Sequence, residues 1–247
     1  MAKPVRGLLF DLGGTLFSYA LGPEMGRAIF EVAEALEIEA RKRDIGRAWG
    51  EANAETMRAF AELDYFLHRD LFDRTLETFA ARFERSVTPE IADRFHETQT
   101  RAVVEHLPIR EDTIETLTAL KERGLYLSIV SNIDDDQLQP LVEKHGLDAV
   151  LDDWTSSEEA RSCKPHTAIY DYSLEKGGLG AHETLFVGDS LHHDVAGASA
   201  AGLRSVHISD RPGSAPLSQG LEITAEPDYT IRALGELLGI VDELNAG

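Results

Sequence analysis

Val5-Arg6-Gly7-Leu8-Leu9-Phe10-Asp11-Leu12-Gly13-Gly14-Thr15 is the stretch from which the rest of the chain can be read. The apolar run ending at Phe10 stops abruptly at an aspartate and a glycine pair. This predicts a buried strand followed by a tight loop. A carboxylate at such a strand end, beside glycines that let the backbone approach a ligand, is a candidate nucleophile or metal ligand. Asp and Gly are also ordinary turn residues, so the stretch needs its context.

Immediately downstream the character changes. From about Pro23 to His106, Gly and Pro are scarce and Ala, Glu, Arg and Leu abound. Met25, Ile29, Phe30, Val32, Ala33 and Leu36 fall on one side of a helix starting near Pro23. Further helices are expected over Ile45–Leu63, Tyr65–Phe83 and Pro89–Val104, together an all-helical insertion packing as its own bundle. Beyond Pro108, strand-type runs alternate with helical ones. Helices are expected at Thr113–Arg123, Gln137–His145, Ala168–Glu175, Asp194–Ala201 and, closing the chain, Ile231–Leu244. Strands are expected at Leu125–Val130, Ala149–Leu151 (weak), Thr184–Val187 and Ser205–Ile208. This alternation predicts parallel βαβ units, hence an α/β fold. Arg211–Asp228, with Pro212, Gly213, Pro216 and Gly220, reads as a long surface loop.

In a parallel sheet the loops after the strand ends converge on one edge. That edge would receive Asp11 from the first strand and Ser131-Asn132 from the second. The strand at Thr184–Val187 would add Gly188-Asp189-Ser190, with Asp194 entering the next helix. Asp189 and Asp194 supply oxygen ligands of a kind that suits magnesium. Lys164, in Ser162-Cys163-Lys164-Pro165, is a point cation that could neutralise a phosphoryl group.

Composition narrows the partners. With 44 Asp plus Glu against 24 Lys plus Arg, the formal charge is −20, which repels nucleic-acid backbones and anionic membranes. A single cysteine, Cys163, excludes an intramolecular disulfide and a Cys-rich zinc site. The apolar stretches fall short of a membrane span, and the first residues do not read as a secretory leader. A cytoplasmic location is the expectation.

Taken in order, Asp11-Leu12-Gly13-Gly14-Thr15, Ser131-Asn132, Lys164-Pro165 and Gly188-Asp189 with Asp194 resemble the four motifs of the haloacid dehalogenase-like hydrolase superfamily. The resemblance implies a Rossmann-like parallel core at 1–17 and 107–247 with a helical cap inserted at 18–106. It implies that Asp11 attacks phosphorus and forms an aspartyl phosphate. Thr15, Ser131, Asn132 (through its backbone) and Lys164 would then hold the phosphoryl group. Asp11, the Gly13 carbonyl and Asp189 would bind Mg2+, with Asp194 close by. The implied reaction is magnesium-dependent hydrolysis of a small-molecule phosphate ester.

One position departs from that pattern. Most phosphatases of the superfamily carry a second Asp two residues after the nucleophile, serving as acid and base, and here that position is Gly13. General acid–base help is worth about 10²–10⁴-fold, so a phosphatase lacking it is expected to be slow. Two other readings stay open at this point: a phosphate- and metal-binding regulatory protein with little turnover, and a dehalogenase-like hydrolase acting at carbon. The family's dehalogenases need no metal and lack the fourth-motif Asp, whereas Asp189 is present. The cap's only lysine, Lys42, lies in the charged run Arg41-Lys42-Arg43-Asp44.

Overall fold

The computed structural model describes residues 4–19, 22–61, 63–209 and 225–246. Gly7–Phe10 forms β1, and all four residues are buried. It lies between Tyr126–Ser131 (β2) and Thr184–Gly188 (β4), parallel to both. A strand enclosed on both edges and both faces reads as a near-continuous apolar run, which is why these three were legible. The sheet is completed by Asp153–Ser156 (β3), Arg204–Ile208 (β5) and Tyr229–Ile231 (β6), in the order β3-β2-β1-β4-β5-β6. Every pairing is parallel. The fold is therefore the expected α/β class, a Rossmann-like parallel sheet carrying a helical insertion.

Register places the chemistry. Phe10 pairs with Ile129 on one side and Val187 on the other. Asp11, Ser131 and Asp189 thus leave three adjacent strands within one or two residues of the same level.

Two outer strands depart from expectation, and for one reason. The weak strand expected at Ala149–Leu151 lies instead at Asp153–Ser156, after a 3-10 turn at Leu147–Ala149. Asp152 fixes that start: its N–H donates to the Leu127 carbonyl, and its carboxylate accepts the Leu127 N–H at 2.9 Å. The chain's last segment also differs. Tyr229–Ile231 is a strand, and the closing helix is confined to Leu237–Asn245. Glu236 accepts the N–H groups of Arg232 and Ala233, holding Ala233 extended and delaying the helix. Edge strands bury one face or less, so they lack the continuous apolar run that marks a central strand. Of the loop expected over Arg211–Asp228, residues 211–224 lie outside the described residues.

The chain divides into two compact units, Met1–Tyr19 with Pro108–Gly247, and Ala20–Leu107. The second is wholly helical among its described residues: α1 (Gly22–Ala35), α2 (Lys42–Phe60), α3 (His68–Ala81) and α4 (Pro89–His106). Val32, Ala52, Leu76, Phe79 and Phe95 form its core, with Trp49 packed 5.6 Å from Phe79 and 5.4 Å from Phe95. Thr88 caps α4 by accepting the Ile91 N–H, and Pro89 occupies the first turn where its missing donor costs nothing. Lys42 sits over the Phe30 ring at 5.2 Å, and His96 bonds Asp73 at 2.9 Å. No helix among the described residues is long and apolar enough to cross a membrane.

In the sheet unit, helices α5 (Thr113–Glu122), α6 (Asp135–Lys144), α7 (Ser157–Ala160), α8 (Thr167–Gly177), α9 (Gly197–Ala200) and α10 (Leu237–Asn245) link or flank the strands. The helix expected from Asp194 begins earlier, as a π-helical turn at Leu191–Ala196, so Asp194 lies inside it. Such turns are frequent at functional sites. Ser190 caps this one by accepting the His193 N–H at 3.0 Å. His192 and His193 are half-buried on it.

Candidate active site

Asp11 is placed by β1 and by its own N–H, which donates to the Val187 carbonyl at 2.9 Å. The turn that follows depends on Gly14, whose φ is +84°. A Cβ there would lie 2.3 Å from Asp189 Oδ2, so a side chain at position 14 would collide with the neighbouring carboxylate. Thr15, fully buried, donates its hydroxyl to Asp11 Oδ2 at 3.2 Å. Ser131 donates to Asp11 Oδ1 at 3.4 Å.

Lys164 is 3% exposed, and its ammonium bridges two carboxylates, reaching Asp11 Oδ1 at 2.6 Å and Asp194 Oδ1 at 2.7 Å. Asn132 holds this lysine by its backbone. The Asn132 amide donates to the Lys164 carbonyl at 3.0 Å and accepts the Lys164 N–H at 2.7 Å. Its side chain is thus committed to positioning the cation, a task the sequence did not reveal. Asp194 is 1% exposed, and its second oxygen accepts the Ser190 N–H at 2.9 Å. Asp189 is fixed through its backbone, where its carbonyl meets His207 Nε2 at 3.0 Å. Of its carboxylate, Oδ1 accepts the Tyr19 hydroxyl at 3.4 Å, while Oδ2 is buried with no hydrogen-bond partner. Gly13 bridges Phe17 in the turn and offers no side chain.

Electrostatics follow from this crowding. Burial would lower the Lys164 ammonium, but Asp11 and Asp194 more than offset it and push it up to about 12. Burial raises Asp11 above the usual carboxylate range despite Lys164, with Asp194 adding to the rise. Burial, then Asp11 and Asp194, push Asp189 up to about 8. Carboxylates held this close and this dry favour a proton or a cation.

A metal ion fits these residues. Asp11, Asp189 and Asp194 each offer an oxygen within 4.8 Å of the others, all three buried. With all three carboxylates ionised, one ammonium leaves two negative charges uncompensated, the charge of one divalent cation. The orphaned Asp189 Oδ2 has the chemistry of a ligand awaiting one, because a buried unpaired carboxylate oxygen is costly. An all-oxygen donor set suits a hard ion such as magnesium.

Tyr19 is the residue at this site that sequence reading missed. It lies eight positions past the nucleophile in no recognisable pattern, and only the bare glycine pair hinted that something must cover the turn.

Asp11 follows a central parallel strand and Asp189 its neighbour, while Asp194 comes from the π-helical turn and Lys164 from the loop before α8, so the four charged groups meet at one edge of the sheet. The profile of the haloacid dehalogenase-like hydrolase family matches residues 5–202, and the chain belongs to that family. It is 28% identical over 247 residues to a glyceraldehyde 3-phosphate phosphatase of Methanocaldococcus jannaschii, covering 97% of this chain and 98% of that one. It is 29% identical to (S)-2-haloacid dehalogenase 4A of Burkholderia cepacia, covering 87% of each. Among solved structures, the HAD-hydrolase YfnB of Bacillus subtilis bound to magnesium superposes with a TM-score of 0.75 at 20% identity. That match covers 97% of this chain and all of the other. The last likeness is one of fold.

Proposed function

We propose that this protein is a magnesium-dependent phosphatase acting on a small phosphorylated metabolite, with Asp11 as nucleophile. The observation that carries the reading is the buried Asp11–Asp189–Asp194 cluster with one carboxylate oxygen left without a partner. Phosphatase and dehalogenase relatives are about equally similar in sequence, so the site must discriminate. Displacement at carbon by a carboxylate requires no metal, and three buried aspartates around a single lysine would burden such an enzyme. They suit an enzyme that binds a divalent ion.

Asp11, Asp189 and Asp194 would hold the ion, the last directly or through water, with the Gly13 carbonyl beside them. When bound, magnesium neutralises this cluster and withdraws charge from phosphoryl oxygens. Asp11 attacks phosphorus, the ester P–O bond breaks, and the alcohol leaves with a proton from water, giving an aspartyl phosphate. Water then attacks phosphorus, releasing phosphate and regenerating Asp11. Splitting hydrolysis into two steps is the service of a carboxylate nucleophile. Lys164, fixed by Asn132, stabilises negative charge on the transferring group, and Ser131 and Thr15 supply hydroxyl donors beside it. A cytoplasmic metabolite is the expected substrate, and the helical insertion would act as the cap that selects it. Because the chain's net charge of −20 repels a phosphate ester at long range, binding depends on short-range neutralisation at this cluster.

The test is turnover of a phosphomonoester panel by the wild type, by Asp11→Asn and after chelation. Activity lost in both supports the reading. Metal-independent halide release from 2-haloacids would overturn it in favour of attack at carbon. Magnesium binding without any turnover would instead favour a regulatory protein.

A further inference from the structure

Tyr19 belongs to the sheet unit, and its ring lies on the Gly13-Gly14 turn. A Cβ built on Gly13 would lie 3.0 Å from Tyr19 Cε1, and one on Gly14 would lie 2.6 Å from Cε2. The ring therefore fills the space that a side chain at position 13 would enter. Its hydroxyl reaches Asp189 Oδ1, the oxygen opposite the orphaned one. We propose that Gly13 and Tyr19 act as a pair: the bare glycine makes room for the phenol, and the phenol orients Asp189 so that Oδ2 is the oxygen offered to magnesium. Tyr19 is on this account a positioning residue for a metal ligand. The inference rests on the metal-centre reading above and goes beyond it by assigning the residue that occupies the vacant position.

A carboxylate oxygen can only accept, so the phenol is the donor in its contact with Asp189. The pair also bears on the missing acid. Introducing a carboxylate by Gly13→Asp would press against Tyr19, so that exchange gains phosphatase rate only where Tyr19 has first been cut back to Ala.

Magnesium affinity, measured by calorimetry and by magnesium-induced thermal shift, separates this role from a merely structural one. The proteins compared are the wild type, Asp189→Asn, Tyr19→Phe, Tyr19→Ala, Gly13→Ala and the Gly13→Ala/Tyr19→Ala double variant. Losing one hydroxyl donor of this length is expected to weaken binding about 3- to 10-fold in Tyr19→Phe, with the ion-free melting temperature nearly unchanged. Gly13→Ala should weaken it similarly by displacing the ring, and should add nothing once Tyr19 is already Ala. Equal affinity in the wild type and Tyr19→Phe, with Asp189→Asn still abolishing binding, overturns the pairing and leaves the metal centre intact. Additive effects of Gly13→Ala and Tyr19→Ala overturn it as well. No magnesium binding by the wild type would remove the metal-centre reading and the inference together.

Discussion

Lys164→Met removes the one ammonium that Asp11 and Asp194 share and leaves a side chain of similar length. The lysine is buried, with contacts of 2.6 and 2.7 Å to the two carboxylates. Breaking a buried ion pair by deleting one partner costs about 3–5 kcal/mol, because the remaining charge has no compensation. At about 2–4 °C per kcal/mol for a chain of this size, the melting temperature should fall by roughly 6–20 °C at pH 8. The loss depends on pH with a definite sign. Asp11 lies above its ordinary value even with Lys164 present, and without the lysine it takes up a proton more readily still. The folded variant then binds protons that the unfolded chain does not, so the deficit shrinks as pH falls toward about 5. Magnesium should act in the opposite direction to the mutation. With the competing cation gone, the carboxylates bind it more tightly, so it should raise the variant's melting temperature more than the wild type's. Phosphate-ester turnover should nevertheless drop about 10²–10³-fold, the usual loss on removing one stabiliser of transition-state charge. Thermal melts at pH 5 and 8, with and without magnesium, read all of this. A variant as stable as the wild type at pH 8, or one that magnesium stabilises no better, would refute the view that Lys164 and the ion share the same carboxylates.

Other outcomes follow from the same geometry. Since Asp189 is pushed up to about 8, the ion-free protein holds a proton there that the unfolded chain lacks between about pH 4 and 8. Ion-free stability from this group therefore declines over that window, and the magnesium-induced thermal shift should be larger at pH 9 than at pH 6. Asn132→Ala deletes both bonds to the Lys164 backbone and should cost about 1–3 kcal/mol in denaturant melts, lowering kcat while magnesium affinity is preserved. In the helical unit, Phe95→Ala opens a cavity beside Trp49 and Phe72 and should cost about 3–5 kcal/mol, seen by near-ultraviolet circular dichroism of the aromatic cluster.

The central strands were legible because β1, β2 and β4 are enclosed on all sides and are built mostly of apolar residues, Ser128 and Thr184 being buried exceptions. The same enclosure made Asp11, Ser131 and Asp189 conspicuous as the first polar residues beyond each run. β3 and β6 were not legible, since edge strands such as Asp153-Trp154-Thr155-Ser156 carry mostly polar residues and their ends are set by side-chain bonds from Asp152 and Glu236. At the site, order along the chain could suggest that Lys164 and Asn132 meet, but not that the amide would grip the lysine's backbone. Tyr19 was hidden for a similar reason. Its place over Gly13 is a matter of how the chain doubles back after Thr15, and no spacing rule carries that information.

The most direct measurement of the central claim follows the oxygen of water. Multiple turnovers in H2(18)O, followed by mass spectrometry of released phosphate and of the peptide containing Asp11, report which atom water attacks. Hydrolysis of an aspartyl phosphate at phosphorus predicts (18)O in the phosphate and none in Asp11. Label accumulating in the Asp11 carboxylate, accompanied by halide release from a 2-haloacid, would mean that water attacks an ester at carbon and would contradict the account.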